Sequence, residues 1–361
     1  MDRSAVETEK KSKGKLYQNC VGEPLPSDGQ ILHTPIGKKE YSSIKFLFVA
    51  EEWLRDKKLF VKESTYARYR YLTDNHIIPE FGNMNMEDID DSHLESLLRE
   101  KFAGNGDNLS PKTLRDILSV FRLIVYYAEE KEYITPGKLC KNIPLFLSRK
   151  KDTRILVMKN NERCTLEKYL IKNGRDPKAF GILLALYTGL RIGELCALRW
   201  QDVDLNNRVL YVRHTLLRLH DYSGGENKTK LVMDTPKTES SRREIPLTSF
   251  LYDELTKLYG RGKNSDTFLV SGSEKPQEPR AYLYYYKKQL SSCGLPPYTF
   301  HILRHTFATR CVEAGIDIKT LSEILGHSSI KITMDRYVHP SVESKRRQLE
   351  LICGDFMPNY S

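Results

Sequence analysis

The stretch TGLRIGELCALRW, residues 188–200, divides one apolar helix from the next at Gly189. Arg191 stands just before the second helix, and Glu194 follows one helical turn later, so that its carboxylate can orient the guanidinium. A planar guanidinium held in this way is suited to bind a phosphate. The alternative is an ordinary surface ion pair at the start of a helix.

A second short stretch, TPKTESSRREIPL at 235–247, carries Lys237 at a predicted turn between two strands. A lysine on a hairpin can reach into a site and donate a proton, whereas most exposed turn lysines only add charge to the surface. Arg242 and Arg243 follow in the same stretch and are candidates for contacts with nucleic acid.

A third stretch, TFHILRHTFATR at 299–310, places two histidines and an arginine on one helical face. His301, Arg304 and His305 occupy positions i, i+3 and i+4 of the predicted helix. This combination suits phosphate binding together with acid–base chemistry. One of the two histidines is expected to be structural, and we assign that part to His305.

The segment DIKTLSEILGHSSIKITMDRYVHP, residues 317–340, predicts two helices separated by a glycine turn. Asp317 caps the first helix, Gly326 ends it and His327 lies in the turn. The second helix is predicted to stop one residue before Tyr337. A helix–turn–helix regulator that binds DNA would show a similar pattern.

The whole chain has 361 residues, 40% of them hydrophobic, and a formal net charge of +10. This length predicts two domains, and the charge predicts a polyanionic partner, with nucleic acid ahead of a membrane surface. Seven cysteines at irregular spacings favour reduced thiols in a cytoplasm over disulfides or a zinc site. The N-terminus lacks the apolar core of a signal peptide, and no apolar stretch approaches the length of a membrane span.

Residues 41–135 predict an all-helical domain of four helices joined by short loops. The last helix is predicted to open at Ser110 as its N-cap, with Pro111 in the first helical position. An earlier helix is predicted to begin with a capping box formed by Ser92 and Glu95. The basic residues of this domain that are candidates for contacts with DNA phosphates are Lys62, Arg68, Arg70, Lys112 and Arg115.

The rest of the chain divides by composition. Residues 1–40 predict a flexible arm and residues 136–155 a linker, since both mix charge, Gly and Pro without a sustained period. A second domain at 156–340 mixes helices with strands, and a tail at 341–361 carries apolar residues that could dock on a neighbouring protomer or on its own chain. The predicted strands are residues 207–217, 230–237 and 241–247.

The motifs R-x-x-E, a hairpin lysine, H-x-L-R-H, L-G-H and Y-x-H-P occur in this order between residues 191 and 340. In that order they resemble the tyrosine recombinase (phage integrase) family, over about residues 41–345. The sequence of the hairpin region, including TPKTESSRR, is most similar to that of integrases of conjugative transposons and Gram-positive phages. The resemblance implies a two-domain fold: an all-α four-helix core-binding (SAM-like) domain, then a mixed α/β, mostly helical catalytic domain with a small antiparallel sheet.

The resemblance implies which residues bind the scissile DNA phosphate. In this family two arginines clamp it, which here means Arg191 and Arg304, and they would neutralise charge on its non-bridging oxygens. His327 matches the position that hydrogen-bonds the same phosphate. Glu194 matches the acidic position that supports the architecture of the site.

It also implies which residues make and break bonds. Tyr337 matches the nucleophile, which forms a covalent 3′-phosphotyrosine. A phenol with a pKa near 10 needs a base or nearby cations at neutral pH, and His301 matches the general base. Lys237 matches the general acid that protonates the leaving 5′-oxygen.

The resemblance implies double-stranded DNA attachment sites as the substrate and a homotetramer on two paired sites. It admits an excisionase or a DNA-bending accessory protein as a further partner. It implies no metal ion and no other cofactor, because the arginines could replace the divalent ions of other phosphoryl-transfer enzymes. We expect a cytoplasmic, nucleoid-associated protein with no membrane partner that integrates or excises a mobile element or prophage.

Two other classes of protein share part of this pattern. A non-catalytic helix–turn–helix regulator would have no use for Arg191, Lys237, His301 and Arg304 in this order. A type IB topoisomerase shares the phosphotyrosine chemistry, but it relaxes supercoils as a monomer without sequence specificity.

Overall fold

The computed structural model describes residues 44–103, 108–137, 139–140, 156–172, 176–222, 228–235, 241–259 and 265–338, and residues 342, 345–346 and 349–350. The predicted arm, Lys237, most of the predicted linker and most of the predicted tail lie outside these residues. Within them, no helix has both the length and the apolar character that crossing a membrane requires.

Helices form the first domain, as predicted. A π-helical turn at Thr73–Ile77 joins the second helix to the third, so that these two run on as one helical segment. The helices of this domain are α1 (Phe46–Phe60), α2 (Glu63–Leu72), α3 (Ile78–Phe81), α4 (Asp91–Ala103) and α5 (Pro111–Glu130).

Aromatic rings fill the centre of this helical domain. The rings of Phe46 and Phe121 stack with centroids 5.6 Å apart, and Phe81 lies 4.9 Å from Phe121. All three side chains are essentially inaccessible to solvent. Burial of one such side chain stabilises the fold by about 1.5–3 kcal/mol, so this cluster holds α1, α3 and α5 together.

Helix capping confirms one prediction and corrects another. Ser110 caps α5, because its hydroxyl accepts a hydrogen bond from the amide of Thr113 at 3.1 Å. The predicted capping box of Ser92 and Glu95 is wrong, since Asp90 takes the capping position of α4. Its carboxylate accepts hydrogen bonds from the amides of Ser92 and His93 at 2.9 and 3.1 Å.

The second domain has its own hydrophobic core, centred on α7. This helix is apolar on nearly every side and is therefore surrounded by other elements. The helices of the domain are α6 (Asn160–Lys172), α7 (Pro177–Thr188), α8 (Ile192–Ala197), α9 (Ser249–Tyr259), α10 (Pro279–Ser292), α11 (His301–Glu313), α12 (Ile318–Leu325) and α13 (Ile330–Tyr337).

Two small antiparallel sheets accompany these helices. The strands are β1 (Val203–Asp204), β2 (Val209–Val212), β3 (Thr215–His220), β4 (Thr229–Asp234) and β5 (Arg243–Pro246). One sheet has the order β1-β2-β5 and the other pairs β3 with β4. The single strand predicted at 207–217 is therefore two strands, because its first half pairs with β5 and its second half with β4.

The β3–β4 hairpin contacts the helical domain at α2. The Lys230 ammonium lies 2.7 Å from the Glu63 carboxylate, and the rings of Tyr71 and His220 stack at 5.2 Å. These contacts join the first domain to a sheet of the second.

Candidate active site

Arg191 is held at the start of α8 by Glu194. The Glu194 carboxylate accepts hydrogen bonds from the Arg191 amide at 2.9 Å and from its guanidinium at 2.7 Å. Glu194 is buried and also bonds the guanidinium of Arg243 from β5. Burial opposes ionisation of Glu194, but Arg243 and Arg191 outweigh it and lower its pKa to about 2. A carboxylate that stays charged therefore orients Arg191.

Arg304 on α11 is a buried cation, with 1% of its surface exposed. Its guanidinium donates to the carbonyl oxygens of Gly189 and Leu325 at 2.8 and 2.7 Å. These bonds orient the guanidinium without neutralising it. Burial and the nearby Arg191 lower the pKa of Arg304 to about 9, which leaves it positively charged at neutral pH. A buried, oriented cation of this kind favours binding of an anion.

Gly189 and Gly326 shape the backbone around this guanidinium. Both adopt left-handed conformations, with φ of 67° and 64°, and end α7 and α12 respectively. A β-carbon on Gly189 would lie 2.7 Å from the Phe307 ring and 2.8 Å from Leu325. Glycine is required there both for the turn and for the close approach of α11 and α12.

Three histidines lie close to these arginines. Burial, followed by the charges of Arg304 and Arg336, lowers the pKa of His301 to about 4. Burial and Arg304 lower the pKa of His327 to about 3, and its Nδ1 lies 2.8 Å from the hydroxyl of Thr333. Burial and His301 lower the pKa of His305 to about 4. All three imidazoles are therefore neutral at neutral pH, so each can accept a proton.

Tyr337 is the last residue of α13, one residue later than the predicted helix end allows. Its side chain is buried, with 7% of its surface exposed. The phenol oxygen lies 2.8 Å from Nδ1 of His305. Burial raises the pKa of the phenol, while Arg304 and Arg336 partly oppose this. The structure thus places against the phenol the histidine to which the sequence assigned a structural part.

A pocket of about 290 Å³ opens among these side chains. Such a volume accommodates a phosphate group with its ester oxygens. Arg336, which directly precedes Tyr337, is an exposed residue of its wall that the sequence did not single out. The lining residues are Arg191, Ser241, His301, Arg304, Gly326, His327, Ser328, Ile332 and Arg336.

A second groove, of about 460 Å³, shares His327 and Ser328 with this pocket. Its wall includes Arg242, Lys319 and the start of α13 at Ile330. Arg242 is exposed there, so it can contact a bound polyanion. Arg243, the other residue of this stretch predicted to contact DNA, is buried, and its guanidinium donates to the Glu194 carboxylate and to the carbonyl oxygen of Ile324.

The basic residues predicted to contact DNA in the first domain differ in their surroundings. The Lys62 ammonium donates to the carbonyl oxygen of Thr235 at 2.7 Å, which ties α2 to the end of β4. Arg68 pairs with Asp116 at 2.9 Å but stays half exposed. Arg70 is held between Glu51 and Asp74.

The two remaining candidates lie at the start of α5, where Lys112 is exposed and Arg115 is partly buried. Lys237, the predicted general acid, lies outside the described residues.

The place of His305 on the same helical face as His301 could have been found from the sequence, since it follows His301 by one helical turn in H-x-L-R-H. That Arg242 is exposed and Arg243 is buried could not have been predicted from the sequence, because no local pattern shows which face of β5 is covered by other elements.

Comparison with known proteins agrees with this architecture. Residues 154–344, more than half of the chain, match the profile of the phage integrase family, and residues 45–102 match the phage integrase N-terminal SAM-like domain. The chain is 28% identical to a XerC-like tyrosine recombinase of Caldanaerobacter subterraneus subsp. tengcongensis, over 95% of this chain and 88% of the relative.

Two solved structures share the fold. One is the Tn1549 transposon integrase in complex with transposon right end DNA, with a TM-score of 0.68 and 23% identity over 86% of this chain and 100% of that one. The other is a lambda integrase tetramer bound to a Holliday junction, with a TM-score of 0.57 and 18% identity over 94% and 90% of the respective chains.

A SAM-like domain followed by this catalytic domain defines the class as DNA strand-transfer enzymes. Within that class, the chain belongs to the phage integrase family. It is a tyrosine recombinase, an enzyme of site-specific DNA recombination.

Proposed function

We propose that this recombinase cleaves duplex attachment sites by joining the 3′-phosphate of the cut strand to Tyr337, and then transfers that phosphate to a new 5′-hydroxyl. Arg191, Arg304, His301 and His327 converge on one pocket, and the His327 ring stacks 6.4 Å from the Tyr337 ring; this arrangement supports the function. Exchange of strands between two sites would integrate or excise a mobile element.

The scissile phosphate occupies the pocket between Arg191 and Arg304. Both guanidinium groups reach the pocket, and both are oriented by hydrogen bonds to the protein. Negative charge on the non-bridging oxygens grows as the phosphorus becomes pentavalent, so pre-oriented cations stabilise the transition state. His327 adds a hydrogen bond to the same oxygens, with its ring held by Thr333.

Attack by Tyr337 breaks the bond from phosphorus to the 5′-oxygen and forms the bond to the phenol oxygen. The phenol proton passes to a neutral imidazole, and Lys237 donates a proton to the leaving 5′-oxygen. The phosphotyrosine conserves the energy of the phosphodiester, so rejoining by a 5′-hydroxyl needs no ATP.

A nicked attachment-site duplex tests the nucleophile, because loss of the short cleaved fragment traps the covalent adduct. Tyr337→Phe should abolish the adduct and leave specific DNA binding within about twofold of wild type. Tyr286→Phe is the matched control: this tyrosine is also buried, and its hydroxyl has no hydrogen-bond partner among the described groups. Its adduct should form at the wild-type rate.

The result that contradicts this function is an adduct that persists in Tyr337→Phe. A wild-type protein that binds the site but forms no adduct on any nicked duplex would also contradict it. Relaxation of a plasmid without an attachment site would point instead to topoisomerase activity.

The recombinase acts as a tetramer on two DNA sites, in line with the lambda integrase assembly that shares its fold. Residues 342, 345–346 and 349–350 of the tail are helical, and Val342 and Leu349 are largely exposed. These exposed apolar side chains are available for docking on a neighbouring protomer. Deletion of residues 343–361 should prevent assembly on paired sites, measured by light scattering. Unchanged assembly would refute docking of the tail on a neighbouring protomer.

A further inference from the structure

His305 makes a direct contact with the reacting atom of the enzyme. Its Nδ1 lies 2.8 Å from the phenol oxygen of Tyr337, and the two ring centroids are 5.6 Å apart. This distance lies within the range in which a general base takes a proton from a nucleophile.

His301 has a different place. It stands at the open start of α11, is exposed, and lines the phosphate pocket. Its ring meets the ring of His305 edge-on, with centroids 4.4 Å apart. His305 follows one helical turn later, behind His301 and in contact with α13. The two histidines therefore have different neighbours: His301 lines the pocket and His305 contacts the phenol.

We propose that His305, and not His301, is the general base that accepts the proton of Tyr337 during cleavage and returns it during rejoining. This proposal rests on the proposed role of Tyr337 as the nucleophile. The phenol oxygen forms its bond to phosphorus, the phosphorus–5′-oxygen bond breaks, and the phenol proton moves to Nδ1 of His305. In the reverse step the proton of the attacking 5′-hydroxyl passes to the general acid, and His305 reprotonates the released phenol.

The charges around His305 suit this part. His301 and Arg304 face it from α11, and Arg336 and Tyr337 face it from α13. Burial and these neighbours keep the imidazole neutral at pH 7, so it is ready to accept a proton. The phenol retains its proton in the same environment, because burial raises its pKa. A bound phosphate brings negative charge to the pocket, which favours the imidazolium that forms.

The experiment compares His305→Asn with His301→Asn in single-turnover formation of the adduct on a nicked site. His305→Asn should lower the cleavage rate by about 100-fold, the scale of a lost general base. The critical readout uses 3-fluorotyrosine at position 337, whose more acidic phenol depends less on a base. This replacement of Tyr337 should raise the cleavage rate of His305→Asn by at least about tenfold, and it should not raise the cleavage rate of His301→Asn.

The pH profile gives a second readout that a structural role would not move. The acid limb of the wild-type cleavage rate reports protonation of the base, so it should flatten in His305→Asn and persist in His301→Asn. Specific DNA binding and the urea midpoint of each variant establish that it is folded. If His305→Asn does not fold, His305→Gln provides the same two readouts, since glutamine cannot accept the proton either.

The outcomes separate this proposal from the proposed function. Suppose that Tyr337→Phe abolishes the adduct while His305→Asn cleaves at the wild-type rate with an unchanged pH profile. Then His305 is not the general base, and the assignment of Tyr337 as the nucleophile still holds. Rescue of His301→Asn alone by fluorotyrosine would return the role to His301. An adduct in Tyr337→Phe would overturn both.

Discussion

The guanidinium of Arg243 and the carboxylate of Glu194 form an ion pair 2.9 Å apart, in which each side chain is only 4% exposed. Arg243 comes from β5 and Glu194 from α8, so the pair joins the three-stranded sheet to the helix that begins at Arg191. Arg243 therefore helps to hold the helix start that carries Arg191.

Removal of Arg243 should destabilise the protein more than loss of an exposed pair. Arg243→Ala leaves Glu194 buried with half of its partners, which should lower the free energy of unfolding by about 3–5 kcal/mol. The control is Lys257→Ala, whose exposed pair with Glu254 should contribute less than about 1 kcal/mol. Urea unfolding measures both, and equal midpoints would contradict the prediction.

Gly189→Ala should impair both folding and cleavage. Its left-handed backbone costs an alanine about 1–2 kcal/mol, and contact with Phe307 and Leu325 should add about 1–3 kcal/mol. Displacement of the Gly189 carbonyl would also release Arg304. The control is Gly315→Ala, where φ is +81° but the space is open, so only the backbone cost applies. Thermal unfolding and adduct yield check this, and two equally stable variants would refute it.

The exposed neighbour of Arg243 should act on DNA and not on stability. Arg242→Ala should reduce the slope of log binding constant against log salt by about one, as loss of one phosphate contact requires. Arg208→Ala removes the same charge from a side chain that packs over the Tyr252 ring, and it should leave the slope unchanged. Fluorescence anisotropy over a salt series measures this. Equal slopes for Arg242→Ala and wild type would remove Arg242 from the DNA interface.

The protein should lose stability as the pH falls below about 6.5. His301, His305 and His327 have pKa values lowered from 6.5 to about 4, 4 and 3 in the folded state. Between these values the unfolded chain binds protons that the folded chain does not, so stability is fully present above pH 6.5 and declines toward about pH 4. Urea midpoints at neutral and acidic pH test this.

His327→Gln provides the comparison for that titration. Glutamine does not titrate, so the variant should show a weaker decline of its midpoint with falling pH. An identical slope would mean that His327 binds its proton equally in both states.

Lys237→Ala should slow cleavage by about 10²–10⁴-fold if the lysine protonates the 5′-oxygen. A substrate with a bridging sulfur at that position leaves without a proton and should restore most of the rate. Arg191→Ala is the comparison, because a lost phosphate contact should not be rescued by a better leaving group. Failure to rescue Lys237→Ala would exclude the acid role.

Local patterns predicted the elements whose ends depend on neighbours within about four residues. Ser110 and Asp317 cap their helices and Gly326 ends α12, as predicted. The cap of α4 was placed wrongly, because several successive polar residues compete for that position and Asp90 takes it. The strand predicted at 207–217 divides because its halves pair with partners that are distant in the chain.

The sequence by itself determined the family, the two-domain fold and the set of residues available for chemistry, because motif order and helix periodicity are properties of the chain alone. Only the tertiary structure decided which of two adjacent arginines is buried and which of two histidines meets the Tyr337 hydroxyl. The physical reason is that burial and hydrogen bonding at these positions depend on α8, α11, α13 and β5 packing together, which no local pattern encodes.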